Sequence, residues 1–287
     1  MALHFFKSAL KRWHPLSFFL LVCLGLGGCG SAPLKAYELT DPEQLNIAEI
    51  LPSVALKTAA AYPDSFRLEK TTTWPELAQS EDWLVFQGEP FYELHFFSNP
   101  GADVGPTATI LQIQDGRQHN LYLSREEEGW RLRESFTRDP IYEPADQAGA
   151  WCILDRLSAD CWPIVEKYAD AFQVEAQSDE TGLQFSWKPA DEAALKETIS
   201  ADRSLHKLGY TLGAAFSESL NVQTDGVLQG AVYTNAATEV TSAFRVEITV
   251  REDEHQSERK QLEELFAGPL KEGELLELNW LDVYFFS

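Results

Sequence analysis

Basic side chains are scarce in this sequence. Its 287 residues include 23 Lys and Arg against 45 Asp and Glu, which gives a formal net charge of −22 at pH 7. A surface with this excess of carboxylates repels phosphate backbones and anionic lipid headgroups. The composition therefore argues against nucleic acid as a partner, and the acidic surface is explained most simply by solubility.

The apolar run at the N-terminus is too short for a stable membrane span. Residues 16–28 would form a helix only about 20 Å long, whereas a hydrocarbon core is about 30 Å thick. The run follows Lys7, Lys11 and Arg12 and ends in small residues. This order of a charged region, an apolar region and a small-residue cleavage site is typical of a signal peptide. An uncleaved anchor and an ordinary secretory signal cut elsewhere are the alternatives.

The end of that run, Leu26-Gly27-Gly28-Cys29, resembles a bacterial lipobox, in which the cysteine takes a diacylglyceryl group and becomes the mature N-terminus. The resemblance implies a lipoprotein signal peptide over residues 1–28, a lipidated Cys29 bearing palmitate-type chains, a lipid-anchored tether over residues 29–40 and a single domain over residues 41–287. It also implies a bacterial envelope protein that faces the periplasm or the exterior, with the membrane as its partner through Cys29.

Sulfur-containing residues are few. Met1 is the only methionine, so any apolar cavity must be walled by aromatic and branched aliphatic side chains. Cys152 and Cys161 are the only cysteines beyond the N-terminal region. In an exported chain such a pair predicts one disulfide that closes a short loop, and two free thiols are the alternative. A zinc site would need further ligands nearby.

Signatures of catalysis are missing. The sequence contains no Gly-x-Ser-x-Gly, no His-Glu-x-x-His and no phosphate-binding glycine loop. His95, between two apolar residues of a predicted strand, is expected to be a satisfied half-buried residue rather than a base. His255 follows three acidic residues, which could hold a metal but are expected to form a solvated turn. We therefore expect neither an enzyme nor a metal site nor a cofactor.

Two blocks of alternating apolar and polar residues are present, and they predict two antiparallel meanders. The first runs from Ser65 to Ser135 and includes the hairpin signal Asp115-Gly116, while the second runs from about residue 215 to 250 and includes Thr224-Asp225-Gly226. Helical spacing surrounds and separates these blocks. The sequence therefore predicts an α+β fold.

The helices are predicted from capping residues and apolar spacing. Asp41 is expected to cap the first helix, and Pro52 to interrupt it before it restarts and ends at Tyr62. Further helices are predicted over residues 145–157, 163–172, 191–199 and about 256–266, with a last strand at 275–286.

Three stretches resemble hairpins of the LolA-like and LppX-like half-barrel lipoproteins. They run from Trp83 to Phe96, from Ile113 to Leu123 with Gly129-Trp130 after it, and from Leu220 to Val232. The resemblance covers most of residues 41–250. It implies a curved antiparallel β-sheet, or half-barrel, packed against a few helices, with a gap between the layers that takes a lipid or an acylated ligand. The disulfide between helices and the very acidic surface are not expected from that group.

The residues that would wall this gap are apolar members of the predicted strands, and each has a packed-core role as its alternative. They are Trp83, Phe86, Tyr92, Leu94, Phe96, Leu111, Tyr122, Trp187, Phe244, Val246 and Ile248. Burying an acyl chain gains about 0.8 kcal/mol per methylene, so such binding needs no reactive group. We expect a non-catalytic lipoprotein that binds or carries a lipid or lipoprotein ligand. A structural or partner-binding lipoprotein with a filled core is the alternative, and a cavity of about 300 Å³ or more would distinguish the two.

Overall fold

The computed structural model describes residues 32–39, 46–74, 77–98, 106–158, 162–178, 180, 182–202, 217–235, 244–253 and 257–282. These residues form five α-helices: α1 (Ile47–Ala61), α2 (Ala148–Leu157), α3 (Trp162–Lys167), α4 (Glu192–Ala201) and α5 (Ser257–Ala267). They also form twelve strands: β1 (Ser65–Trp74), β2 (Leu77–Phe86), β3 (Phe91–Ser98), β4 (Thr107–Gln114), β5 (Arg117–Glu126), β6 (Gly129–Arg138), β7 (Phe172–Ser178), β8 (Gly182–Pro189), β9 (Ser217–Gln223), β10 (Leu228–Asn235), β11 (Phe244–Glu252) and β12 (Leu275–Leu276).

All twelve strands belong to one curved, unclosed antiparallel sheet. Its order is β12-β6-β5-β4-β3-β2-β1-β11-β10-β9-β8-β7. Strand β1 joins the two meanders, because Leu68 lies opposite Trp83 of β2 on one side and opposite Val250 of β11 on the other. The predicted α+β half-barrel is confirmed.

Both hairpin signals form turns as predicted. Asp115 and Gly116 connect β4 to β5 with positive φ angles of 51° and 69°. That geometry is the one that matches the right-handed twist of the flanking strands. Gly226, with φ 88°, ends the turn between β9 and β10, where its N–H donates to the carbonyl of Gln223.

Helices α1 and α2 lie against one face of the sheet, which we call the inner face. Ile50 and Leu51 of α1 and Leu154 of α2 are fully buried there, in one cluster with Leu68 of β1 and Phe185 of β8. These strand residues lie on β1, at the middle of the sheet, and on β8, near one edge. Burial of a shared apolar layer therefore holds the two halves of the sheet together.

The opposite face, which we call the outer face, differs between the two halves. Over β2–β6 it is covered by α5 and residues 275–282, and Leu262 and Leu281 pack there with Leu94 of β3 in a second buried cluster. On β1 and β11 the same face carries solvent-exposed ion pairs such as Arg251 with Glu69. The outer face is thus covered over β2–β6 and open to solvent on β1 and β11.

Helix α1 is continuous, so the predicted interruption at Pro52 is wrong. Asn46 caps the helix, since its Oδ1 accepts a hydrogen bond from the N–H of Glu49 at 3.1 Å. The predicted cap, Asp41, lies outside the described residues. A proline inside a helix costs roughly 3 kcal/mol. Here Pro52 and Val54 are both buried, and apolar burial along α1 offsets that cost.

Strand β2 begins at Leu77, six residues before the predicted start at Trp83. The added residues are mostly polar and carry no apolar alternation. They pair with β1 through the backbone, with Glu81 opposite Lys70. Backbone pairing with a neighbouring strand therefore extends β2 beyond the region that its hydrophobic pattern marks.

The predicted C-terminal strand over residues 275–286 is wrong in the part that the structure describes. Only β12 pairs with β6, and a 3-10 turn, Asn279–Asp282, follows it. Arg125 and the indole of Trp130 both donate to the carboxylate of Asp282, at 2.8 and 2.9 Å from Oδ1. These contacts fix the turn against the outer face.

Candidate functional site

The sheet separates the predicted wall residues into two groups. Five belong to the inner-face cluster: Trp83, Leu111, Trp187, Val246 and Ile248. Four belong to the outer-face cluster under α5: Phe86, Tyr92, Leu94 and Phe96. The expectation that all of them wall one gap is therefore corrected, because neighbouring positions of a strand point to opposite faces of a sheet. All nine are at most 8% exposed and pack against protein side chains.

The other two predicted wall residues differ from these nine. Tyr122 is half-buried on β5, and its ring stacks on Phe136 of β6. Phe244 begins β11, opposite Asn235 of β10, and its side chain lies outside the described residues. Cys29 and His255 also lie outside them, so lipidation and the solvated turn stay predictions.

A group of polar and ionisable side chains lies on the inner face between β1–β3 and α2. We call it the polar cluster, and it consists of Lys70, Glu81, Trp83, Glu93, His95, Tyr142, Cys152 and Arg156. Glu81 and His95 are its centre, with Glu81 Oε2 3.1 Å from His95 Nε2 and Oε1 3.7 Å from Lys70 Nζ. The prediction that His95 is a satisfied strand residue is confirmed.

The indole of Trp83 is the platform of the polar cluster. The imidazole ring of His95 stacks on it at a centroid distance of 4.5 Å and an interplanar angle of 2°. The guanidinium of Arg156 lies 4.6 Å from the centroid of the same indole. Trp83 is 2% exposed, and its Nε1 is buried without a hydrogen-bond partner. A cation on an indole attracts through the ring quadrupole, so Arg156 ties α2 to the sheet.

Glu93 connects the polar cluster to the loop before α2. The hydroxyl of Tyr142 donates to Glu93 Oε2 at 2.8 Å, and Arg156 Nη2 lies 3.4 Å from Glu93 Oε1. Glu93 is 6% exposed. A carboxylate buried to this degree is stable only when it is paired and hydrogen-bonded, and both conditions hold here.

The electrostatics of Glu81 follow from these neighbours. Burial by itself raises the pKa of the Glu81 carboxyl, but the hydrogen bond from His95 and the charges of Lys70, His95 and Arg156 outweigh it and lower the pKa to about 2. Glu81 is therefore ionised at neutral pH. A carboxylate with so low a pKa is a poor general base, since proton transfer works best with a pKa near the working pH.

Cys152 brings a thiol, a group that can act as a nucleophile, into the polar cluster. Burial and the nearby Glu93 carboxylate raise the pKa of its thiol well above the ordinary value. The thiol therefore stays protonated and is a poor nucleophile at neutral pH. In the structure Cys152 is a free, buried cysteine, while Cys161 lies outside the described residues. The predicted disulfide is not confirmed and stays a prediction.

A partly open aromatic surface adjoins the polar cluster on the inner face. Tyr122 and Phe136 stack at a centroid distance of 5.8 Å, and we call this pair the aromatic ledge. Asn120 lies next to it, opposite Phe136, and its Nδ2 is buried without a hydrogen-bond partner. Thr109 separates Tyr122 from His95 across the strands, a spacing of about 10 Å for two strand intervals. The ledge and the buried cluster are thus neighbours on the inner face.

Two of the recesses in the described part of the chain lie away from the aromatic ledge and the polar cluster. One, of about 200 Å³, lies beside α4 at Tyr168 and Leu195. The other, of about 250 Å³, lies between Phe86, Gln87 and Arg259. Both are smaller than a typical ligand pocket of about 300 Å³ or more.

No three His, Cys, Asp or Glu side chains of the described residues are arranged to hold a metal ion. None of the described helices has both the length and the apolar composition needed to cross a bilayer.

The residues that the sequence analysis missed are mainly polar. Lys70, Glu81, Glu93 and Arg156 were not singled out, although Glu93 is in phase with the inward-facing Phe91 and His95 of β3. A carboxylate in phase with an apolar strand face is a usable signal of a buried polar site. The contribution of Arg156 had no such signal, because it depends on where α2 packs.

No protein-family model matches the chain, and no curated protein matches it either. Solved structures do match, and one is a putative outer membrane lipoprotein-sorting protein domain from Vibrio parahaemolyticus, with 10% identity and a TM-score of 0.28 over 74% of this chain and 96% of that chain. A LolA superfamily protein from Nitrosomonas europaea matches with 7% identity and a TM-score of 0.25, over 73% of this chain and 96% of that chain. A DUF1329 family protein from Desulfovibrio piger matches with 10% identity and a TM-score of 0.25, over 70% of this chain and 91% of that chain.

Proposed function

We propose that the protein is a non-catalytic lipoprotein of the bacterial envelope, anchored through lipid on Cys29, that binds a lipid or acylated ligand on the inner face. The observation that carries the ligand site is the aromatic ledge. Tyr122 and Phe136 are half-buried on the inner face of an open sheet and leave part of their ring surface exposed, beside the buried Nδ2 of Asn120, which has no hydrogen-bond partner.

The ledge suits a ligand with an apolar part and a hydrogen-bond acceptor. Ring surface removed from water contributes about 25 cal/mol per Å², which favours an acyl chain on Tyr122 and Phe136. A buried N–H without an acceptor costs roughly 1 to 3 kcal/mol, and an ester or carboxylate oxygen bound to Asn120 would recover it. The filled interior means that the ligand lies along the ledge rather than in a preformed cavity.

Non-catalytic binding accords with the chemistry of the polar cluster. The carboxylate of Glu81 has a depressed pKa, and the thiol of Cys152 has a raised one. Neither group is set up for proton transfer or nucleophilic attack at neutral pH. The cluster instead attaches α2 to the sheet.

Native mass spectrometry tests the proposal on residues 30–287, exported from a bacterial host and purified without detergent. We expect a copurifying mass of several hundred daltons that organic extraction removes. The double variant Tyr122→Ala, Phe136→Ala should lose this mass while keeping its circular dichroism spectrum. Thr249→Ala, at an exposed position of β11, is the matched control and should retain it.

A second function, a structural or partner-binding envelope lipoprotein, is favoured by one observation. Nine of the eleven predicted wall residues are at most 8% exposed and are packed in filled cores. A clean apo mass, repeated after incubation with a lipid extract of the host, would decide for this alternative.

A further inference from the structure

The segment that precedes α1 packs against the helices, although the sequence predicts a tether there. The N–H of Leu34 donates to Gln147 Oε1 at 2.8 Å, just before α2. The N–H of Tyr37 donates to Ser53 Oγ of α1 at 2.7 Å. Leu39 is 6% exposed and belongs to the inner-face cluster. We call residues 34–39 the clamped segment.

Leu39 fixes the end of the clamped segment. Its Cδ1 lies 3.3 Å from the position that a Cβ on Gly226 would take, and Lys57 of α1 borders the same position. Leu39 therefore lies between α1 and the turn that joins β9 to β10. Because this apolar side chain is removed from water, the segment is held by packing as well as by hydrogen bonds.

The covalent reach from Cys29 to the clamped segment is short. Five residue steps separate Cys29 from Leu34, and a fully extended chain spans at most about 3.6 Å per residue, or about 18 Å in all. A lipid on Cys29 would be embedded in the bilayer. The side of the domain that carries Leu34 and Gln147 can therefore be no farther from the headgroups than this reach.

The surface around the clamped segment fits a position at a membrane. Tyr37 is 36% exposed, and Tyr37 and Leu275 are the two large hydrophobic side chains that are exposed among the described residues. Tyrosine is favoured at the interface between headgroups and water, where its ring and hydroxyl are both satisfied. Lys35 is exposed beside it, and so are Glu38 and Asp146. The charges are mixed, so the lipid anchor rather than electrostatic attraction sets the position.

We propose that the clamped segment, given the lipid on Cys29 that the proposed function assigns, holds the α1–α2 side of the domain against the bilayer in a fixed orientation. The partner surface is the headgroup layer, contacted at Tyr37. The connection between the lipid and the domain is thus short and packed against the helices, and it is not a flexible linker. Insertion of Cys29 lipid and docking of the domain become one event.

Energy transfer on the full-length, host-lipidated chain tests this orientation. The protein is reconstituted into neutral phosphatidylcholine vesicles that carry an acceptor dye on the headgroups, with a fluorescent non-natural amino acid at Asp146 or at Glu264. Asp146 adjoins Gln147, whereas Glu264 is an exposed residue of α5, the helix that covers the outer face. Since the sheet separates these layers, about 20 Å divides the two positions. We expect at least about twofold higher transfer from position 146.

Two variants sharpen the measurement. Twelve Gly-Ser residues inserted between Ser31 and Ala32 add a root-mean-square length of about 20 Å, and the difference between the two labels should then shrink. Ser53→Ala removes the acceptor of the Tyr37 N–H and should speed amide exchange there. Thr249→Ala is the control that should change neither readout.

The outcomes separate the orientation from the lipid anchor. Equal transfer from positions 146 and 264 on protein that floats with the vesicles would overturn the orientation and leave the anchor intact. Protein that does not float and lacks an acyl mass would overturn the anchor and with it the proposed membrane contact. Amide exchange at Leu34 and Tyr37 at the rate of an unstructured chain would overturn the clamped segment itself.

Discussion

The two halves of the sheet use the same strand geometry in different ways. In β3 both faces are buried, so six consecutive residues from Phe91 to Phe96 are inaccessible. In β11 exposed and buried residues alternate strictly from Arg245 to Val250. The difference lies in the outer face, which α5 and residues 275–282 cover only over β2–β6. The comparison teaches that the C-terminal segment, and not the sheet, decides which strands form a two-sided core.

The largest expected effect is on the outer face itself. Leu94→Ala removes a fully buried side chain from the cluster under α5 and should lower the free energy of unfolding by about 3 to 4 kcal/mol. Thr249→Ala, exposed on the outer face of β11, should change it by less than about 0.5 kcal/mol. Urea unfolding monitored by tryptophan fluorescence measures both. Similar losses for the two variants would remove the distinction between the halves.

Acid should lower the stability of the fold mainly through Glu81 on the inner face. The pKa of Glu81 is lowered from 4.5 to about 2 in the folded protein, so its ionisation stabilises the fold above about pH 4.5, and this contribution is lost as pH falls toward 2. The full contribution is about 3 kcal/mol.

The variant Glu81→Gln cannot make this pH-dependent contribution. Its free energy of unfolding should therefore fall less steeply than that of the unmodified protein between pH 4.5 and 2. Urea unfolding at several pH values gives both curves. Parallel curves would show that Glu81 does not carry the ionic stabilisation of the polar cluster.

The packing of residues 275–282 on the outer face should also depend on one carboxylate, that of Asp282. Asp282→Ala removes the acceptor of Arg125 Nε and Nη2, at 2.8 and 3.0 Å, and of the Trp130 indole. We expect a loss of about 2 kcal/mol, together with faster amide exchange in β6.

An exposed ion pair of the other half provides the comparison for Asp282. Glu69→Ala breaks the contact with Arg251 on the outer face of β1 and should cost less than about 1 kcal/mol. Equal costs for the two variants would argue that the 3-10 turn does not hold the cover in place.

The smallest effect is expected in the helix layer. A Cβ at Gly149 of α2 would lie 2.2 Å from Gln87 Oε1, and the Gln87 amide donates to the carbonyls of Ala59 and Tyr62 at the end of α1. Gly149→Ala gains about 1 kcal/mol of helix propensity but displaces Gln87. We expect a net loss of about 1 kcal/mol by thermal unfolding. A more stable variant would show that Gln87 can move without cost.

Much of the architecture could be predicted from local patterns. Alternation over β3, β4 and β11 and the turn at Asp115-Gly116 predicted strands and hairpins correctly, because strand period and turn chemistry are set by neighbouring residues. The α+β class followed from the order of these elements. Pro52 misled the prediction, since an isolated sequence cannot show that α1 is buried along its length.

The candidate site could be predicted only in part. Tyr122, Trp83, Phe86 and Tyr92 were all predicted to wall one gap, but Phe86 and Tyr92 lie in the outer-face cluster. Their alternation is equally compatible with either face, because a period of two does not say which face is covered by helices. The polar cluster was missed as a unit, since Glu81, Tyr142 and Arg156 come from distant parts of the chain.

The sequence by itself determined the strand periodicity, the hairpin turns, the acidic surface and the expectation of a lipidated Cys29. These properties depend on residues close to one another along the chain. Only the tertiary structure decided that the outer face is covered over β2–β6, that Arg156 lies on Trp83, and that Leu39 packs against the helices. Each of these results depends on contacts between residues far apart in the chain, whose gain in burial outweighs local preference.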